Sequence, residues 1–158
     1  MDKELIAMCD CSEIQYRWKP EVRDVVKCSH GIGVVSRTDT SSYKIDANKF
    51  PISAWYLNEE SYGNIFIPRI ENVLGWLEVH EERIGSPIAF ITRTLAGGYG
   101  IDIEVDTDFK YRRLCTGDIL IKALLKAFMY LEYGKEWDDD WKWNLVKQEE
   151  IMGESEDL

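Results

Sequence analysis

The spacing at which apolar residues recur changes along this chain, and each change predicts an element. Leu5, Ile6 and Met8 give residues 2–8 the packing surface of a short helical start. Asp10 to Pro20 then reads as irregular or extended, with Trp18 as an anchor. From Val22 the spacing turns to β. Val25-Val26-Lys27-Cys28 and Ile32-Gly33-Val34-Val35 flank His30-Gly31, a composition that suits a tight hairpin. Thr38 to Ser42 reads as a loop, and with no third glycine after Gly31 and Gly33 there is no dinucleotide fingerprint. Tyr43 to Leu57 holds short strands broken by Pro51, and Ile65-Phe66-Ile67 is a further strand ended by Pro68. Proline is well tolerated in a first helical turn, and Ile70, Val73, Leu74, Leu77 and Ile84 then fall on one helical face as far as Gly85.

Ile88 to Leu95 and Tyr99 to Phe109 predict a hairpin joined through Ala96-Gly97-Gly98, its second strand alternating strictly. Thr116-Gly117-Asp118 then opens a helix that runs from Ile119 to Tyr133 and closes at Gly134. It is apolar at Leu120, Ile121, Leu124, Leu125, Ala127, Phe128 and Leu131, which leaves Lys122 and Lys126 as a narrow polar stripe. A helix apolar around most of its circumference is buried, here across a sheet. The order helix, strands, helix, hairpin, helix predicts an α+β fold. Its small, mostly antiparallel sheet packs against the buried C-terminal helix and a second, amphipathic helix. Residues 1–145 read as a single globular domain and 146–158 as an acidic, flexible tail.

A chain of 158 residues, 45% hydrophobic and 12% aromatic, suffices for one core. Twenty-nine acidic against 19 basic residues give a net charge of −10. That charge opposes direct binding to nucleic acid or an anionic membrane, and leaves solubility or the docking of a basic protein as its meaning. No apolar run approaches the roughly 20 residues that span a bilayer, and no secretory leader is present, so a cytoplasmic location is expected. Four cysteines, with Cys9 and Cys11 one residue apart, do not form a secreted disulfide framework, and free thiols are expected.

Several constellations bear on chemistry. Cys9, Cys11, Cys28 and His30 supply four soft ligands for a structural zinc, but one-residue spacings chelate poorly, and no cofactor is expected. Cys28 and His30 on one strand lie too far apart for a catalytic couple. His80, beside Glu81 and Glu82, reads as a solvated surface histidine. Asp102, Glu104, Asp106 and Asp108 alternate with apolar residues, which aligns four carboxylates on one strand face. That face is either plain solvated surface or an acidic docking stripe for lysine and arginine. As a nucleic-acid mimic it has about half the charge density of one DNA strand, so a second acidic row would be needed. Asp138, Asp139 and Asp140 could supply it, as could the tail. Trp137 and Trp141 would share a face if helical and dock the C-terminus on the core. If exposed, these two and Trp143 become partner anchors.

Two stretches resemble a family. Cys11-Ser-Glu-Ile-Gln15 followed by Trp18-Lys-Pro20 is similar to the opening of small phage and prophage proteins, which commonly read Cys-Pro-Glu-Ile-Gln with a following Trp. Ile67-Pro68 entering a helix recurs there, as does an ending like Ala127-Phe-Met-Tyr-Leu-Glu-Tyr133-Gly-Lys-Glu-Trp137-Asp. This chain has Ser12 where proline is usual, and Asp139-Asp140 where a Gly-Glu turn often precedes the final Trp. The family has no established activity, so the resemblance implies a phage or prophage origin, hence the host cytoplasm, and supplies no catalytic residues. The expectation is a non-enzymatic accessory protein that binds a host or phage protein, such as an anti-defence inhibitor or a nucleic-acid mimic. The rival readings are a small enzyme or ligand-binding domain with a pocket of dispersed residues, and a zinc-stabilised module.

Overall fold

The computed structural model describes residues 1–28, 31–38, 42–47, 50–55, 64–84, 88–104 and 110–146, and the fold is α+β with every strand pairing antiparallel. Contacts group the chain into two compact units, Met1–Arg69 and Ile70–Leu158.

In the first unit, Asp2 caps helix α1 (Lys3–Cys9) by accepting from the Leu5 N–H at 3.0 Å, and the helix buries Leu5, Met8 and Cys9. Residues 10–20, expected to be irregular or extended, contain a single helical turn, α2 (Ser12–Gln15). Its purpose is visible in Gln15. The side-chain amide donates to the carbonyls of Cys9 (2.8 Å) and Phe66 (3.0 Å), and its oxygen accepts from the Phe66 N–H (2.9 Å). Five strands follow: β1 (Val25–Cys28), β2 (Gly31–Thr38), β3 (Ser42–Ala47), β4 (Phe50–Trp55) and β5 (Ile65–Ile67). They form one sheet in the order β4-β3-β2-β1-β5. Pro51 does not break a strand as expected. It is the second residue of β4, an edge strand, where a missing N–H costs no ladder bond if it faces outward. Val26, Cys28, Val35 and Ile45 form the core, with Trp18 packed on it and stacked on Phe66 at 5.1 Å.

The second unit opens with α3 (Ile70–Ile84), which buries Val73 and Leu77 but leaves Ile70 and Leu74 partly exposed. Strands β6 (Ile88–Arg93), β7 (Tyr99–Glu104) and β8 (Tyr111–Gly117) form a sheet with β7 central. β8 has no counterpart in the sequence reading. Its run Tyr-Arg-Arg-Leu-Cys-Thr-Gly lacks alternation, and a register shift opposite Ile101 and Asp102 scrambles the period further. Thr116 and Gly117 therefore belong to a strand, and α4 (Leu120–Tyr133) starts later than expected. Gly117 is required at this corner because a Cβ there would lie 2.6 Å from the Ala123 nitrogen. Gly134 closes α4 in the left-handed region at φ 63°.

Helix α4 packs on β7, β8 and α3, with Ala123, Leu124, Leu125, Ala127, Phe128 and Met129 fully buried. Lys122 is also buried, contrary to its expected place in a polar stripe. Its ammonium reaches back one turn to Asp118 at 3.0 Å, while Lys126 donates to the Thr116 carbonyl at 2.8 Å. A final hairpin, β9 (Lys135–Trp137) and β10 (Trp143–Leu145), is extended by a bond from the Val146 N–H to the Gly134 carbonyl. Residues 147–158, most of the expected tail, lie outside the described residues. No helix among the described residues is long and apolar enough to cross a membrane.

Candidate partner-binding surface

The tryptophans and aspartates after α4 are gathered by the β9–β10 hairpin. Trp137 and Trp141, conditionally assigned to one helical face, do not share one. Trp137 lies directly across from Trp143, with ring centroids 4.9 Å apart at 58°. The Trp137 Nε1 is buried with no hydrogen-bond partner among the described residues. The loop between the strands is Asp139-Asp140-Trp141, bounded by the Asp138 N–H donating to the Lys142 carbonyl at 3.0 Å.

Asp138 organises that loop. One carboxylate oxygen accepts from the backbone N–H of Asp140 (2.9 Å) and Lys142 (3.0 Å), and the other accepts from the Asn144 amide. Desolvation pushes the Asp138 pKa up. The bonds from Asn144, Lys142 and Asp140, with the charge of Lys142, outweigh it and hold the carboxyl below its ordinary 3.8. The charge of Asp138 is thus committed to the turn. Asp139 and Asp140 are exposed beside it, and Trp141 is 46% exposed at φ 60°, a conformation that side chains rarely adopt.

The carboxylate row on β7 is less open than its spacing predicts. Asp102 is paired with Arg113 across β8, and Arg113 also donates to Thr92 Oγ1 at 3.2 Å. Glu104 is exposed at the end of β7, while Asp106 and Asp108 lie outside the described residues. Because β8 sets Arg113 directly across from Asp102, the face around Asp102 is mixed in sign. Arg113 was legible in the sequence as a basic residue, but its position opposite Asp102 required the unpredicted β8.

The candidate metal ligands fall on different elements. Cys9 ends α1, Cys11 precedes α2, and Cys28 ends β1 with its thiol donating to the Gly31 carbonyl at 3.2 Å. His30 and the side chain of His80 lie outside the described residues. Burial raises the Cys9 thiol pKa well above its ordinary value, with Cys11 and Asp10 adding to the shift. Among the described residues no three metal-ligating side chains come together. Burial also pushes Cys115 up to about 12 despite the lowering charges of Lys126 and Arg113, and its thiol donates to the Ala123 carbonyl at 3.3 Å.

Sequence reasoning did not find an open apolar trough of about 410 Å³ between α3 and β6, lined by Leu74, Leu77, Glu78, Ile88, Phe90 and Ile91. Glu78 is the ionisable group in its wall. The missed signal was Phe90 next to Ile91, adjacent large apolar residues that cannot both face a core from one regular strand. Comparison of the chain with protein-family models, with curated proteins and with solved structures finds no match.

Proposed function

We propose that this chain is a non-enzymatic interaction protein that docks a basic protein through the tip of the β9–β10 hairpin. As the resemblance of its two ends implies, it serves as a phage or prophage accessory factor. The observation that carries the reading is Trp141. Three-residue hairpin loops place a residue in the left-handed region, where glycine is favoured and other residues cost on the order of 1 kcal/mol. Here that position holds the largest side chain, nearly half in water. Neither backbone preference nor burial within the fold accounts for it, whereas tryptophan is enriched among the residues that dominate protein interfaces. Asp139 and Asp140 beside it favour a partner presenting arginine or lysine, whose cation can also lie over the indole face. The tip is preferred to the β7 row because Arg113 already answers Asp102.

The test uses Trp141→Gly. Stability should stay level or rise by up to about 1 kcal/mol, since strain is released at the cost of a more flexible unfolded chain. A protein captured from host lysate by the wild type and identified by mass spectrometry should bind the variant roughly tenfold or more weakly. Undiminished binding by Trp141→Gly and by the Asp139→Asn, Asp140→Asn double variant would overturn the reading.

A further inference from the structure

The trough between α3 and β6 has apolar walls and an acidic border, and the helical period sets the order of the two on α3. At about 100° per residue, Val73 and Leu77 turn inward and are buried, Ile70 and Leu74 come next, each 37% exposed, and Glu71 and Glu78 follow them around the circumference. Leu74, Leu77 and Glu78 line the trough from the helix, and Ile88 and the 44% exposed Ile91 line it from the strand. Adjacent exposed apolar side chains of this kind mark an interaction site. Glu71 and Glu78 are both exposed and have no hydrogen bond or ion pair. They stand seven residues apart, two turns or roughly 10.5 Å along α3, with Leu74 between them. The basic residue of β6, Arg93, is engaged by Tyr99, whose hydroxyl accepts from its Nη1 at 2.7 Å.

We propose that this trough is a docking groove for a basic amphipathic helix of a partner protein. Its open side decides between a small molecule and a helix. A pocket for a small ligand encloses most of that ligand, whereas a helix lays one apolar stripe in a groove and keeps its other face in water. A trough walled by one helix and one strand and open to solvent suits the second. Charge decides the sign of the partner. Two unpaired carboxylates beside an apolar stripe attract lysine or arginine and repel a helix that carries carboxylates there. Their spacing sets the register. A helix lying along α3 returns to nearly the same face every two turns, so basic residues seven apart meet Glu71 and Glu78 while the apolar residues between them contact Leu74 and Ile91. The groove shares no residue with the tip of the β9–β10 hairpin, so the two docking surfaces are tested separately.

The probe is an end-capped peptide of roughly 18 leucines and lysines patterned as an amphipathic helix, with lysines at seven-residue spacing beside the leucine stripe. Its counterpart carries glutamate in place of every lysine. Isothermal titration calorimetry of the full chain at physiological salt should give a dissociation constant of about 1 to 100 µM for the lysine peptide and no binding of the glutamate peptide. No binding of the lysine peptide, or equal binding of both, overturns the proposal. Leu74→Asp makes the chain more negative, so unspecific attraction would grow, yet docking in the groove should weaken by roughly tenfold or more. Glu71→Gln with Glu78→Gln should weaken binding by roughly threefold or more. Asp10→Asn with Asp46→Asn, which removes the same charge from exposed positions in the first unit, should leave it within about twofold. Undiminished binding by Leu74→Asp, or an equal effect of the two pairs, overturns the proposal. Should Leu74→Asp fail to fold, the two pairs decide, and weakening confined to the Glu71 and Glu78 pair upholds the groove.

Discussion

Asp24 is a carboxylate only 2% exposed, and its burial is tolerated because each oxygen has partners. Oδ2 accepts from the Trp18 indole and the Glu21 N–H, both at 2.8 Å, and Oδ1 faces the Arg69 guanidinium at 3.4 Å. These bonds hold the Trp18 segment against the sheet and steady a turn in which Arg23 adopts φ 79°. Asparagine has one oxygen and would set its NH₂ against a donor. Asp24→Asn should therefore cost roughly 1 to 3 kcal/mol in a urea melt, although the change is nearly isosteric. A cost below about 0.5 kcal/mol would mean that the site relaxes to accept an amide. Sequence reading gave Trp18 an anchoring role but passed over Asp24, because nothing local marks one aspartate among many as buried. Its guanidinium partner is 45 residues away.

At the scale of elements, α4 and the hairpin behind it make opposite demands. The apolar circumference of α4 demands burial, and Leu124 at 0% exposure meets it. Leu124→Ala should destabilise the chain by roughly 2 to 5 kcal/mol, read from denaturant midpoints. Less than about 1 kcal/mol would mean that the helix face collapses around the loss. The hairpin rests instead on one ionised carboxylate and one pair of indoles. Because the folded Asp138 pKa is depressed, its contribution is complete above the ordinary aspartate pKa and is lost as the pH falls through the lower folded value. The near-UV signal of the Trp137–Trp143 pair should therefore change in acid below pH 3.8, the ordinary aspartate value, before the core unfolds. In Asp138→Ala that step should be absent, with the pair already loosened at neutral pH. An identical acid step in the variant would locate the transition in another group.

For the whole molecule, the net charge of −10 matters through where it is free. Asp102 is matched by Arg113, Asp118 by Lys122, and Asp138 by its turn, whereas Asp139 and Asp140 are exposed at the hairpin tip. If the tip meets a basic partner, neutralising Asp139 and Asp140 to Asn should slow association and flatten its salt dependence, while Asp102→Asn should leave both nearly unchanged. Stopped-flow rates at low and high salt check this. An equal effect from Asp102→Asn would return the docking role to the β7 row.

The α+β class, the first hairpin, the α3 span and the burial of the C-terminal helix were determined by the sequence alone. Each rests on a local property: β-branched runs flanking a glycine, proline at a helix entry, or an apolar circumference. Only the tertiary structure decided which strands neighbour one another, and the roles of the charged and aromatic residues hang on that. Pairing β8 with β7 set Arg113 against Asp102, and pairing β10 with β9 turned a supposed helical face of tryptophans into a cross-strand pair with Trp141 at the tip. The division into Met1–Arg69 and Ile70–Leu158 likewise reflects long-range contacts that no window of sequence contains. Periodicity reports how one segment meets its own surroundings, whereas a buried charge or an exposed anchor is defined by what another segment brings to it.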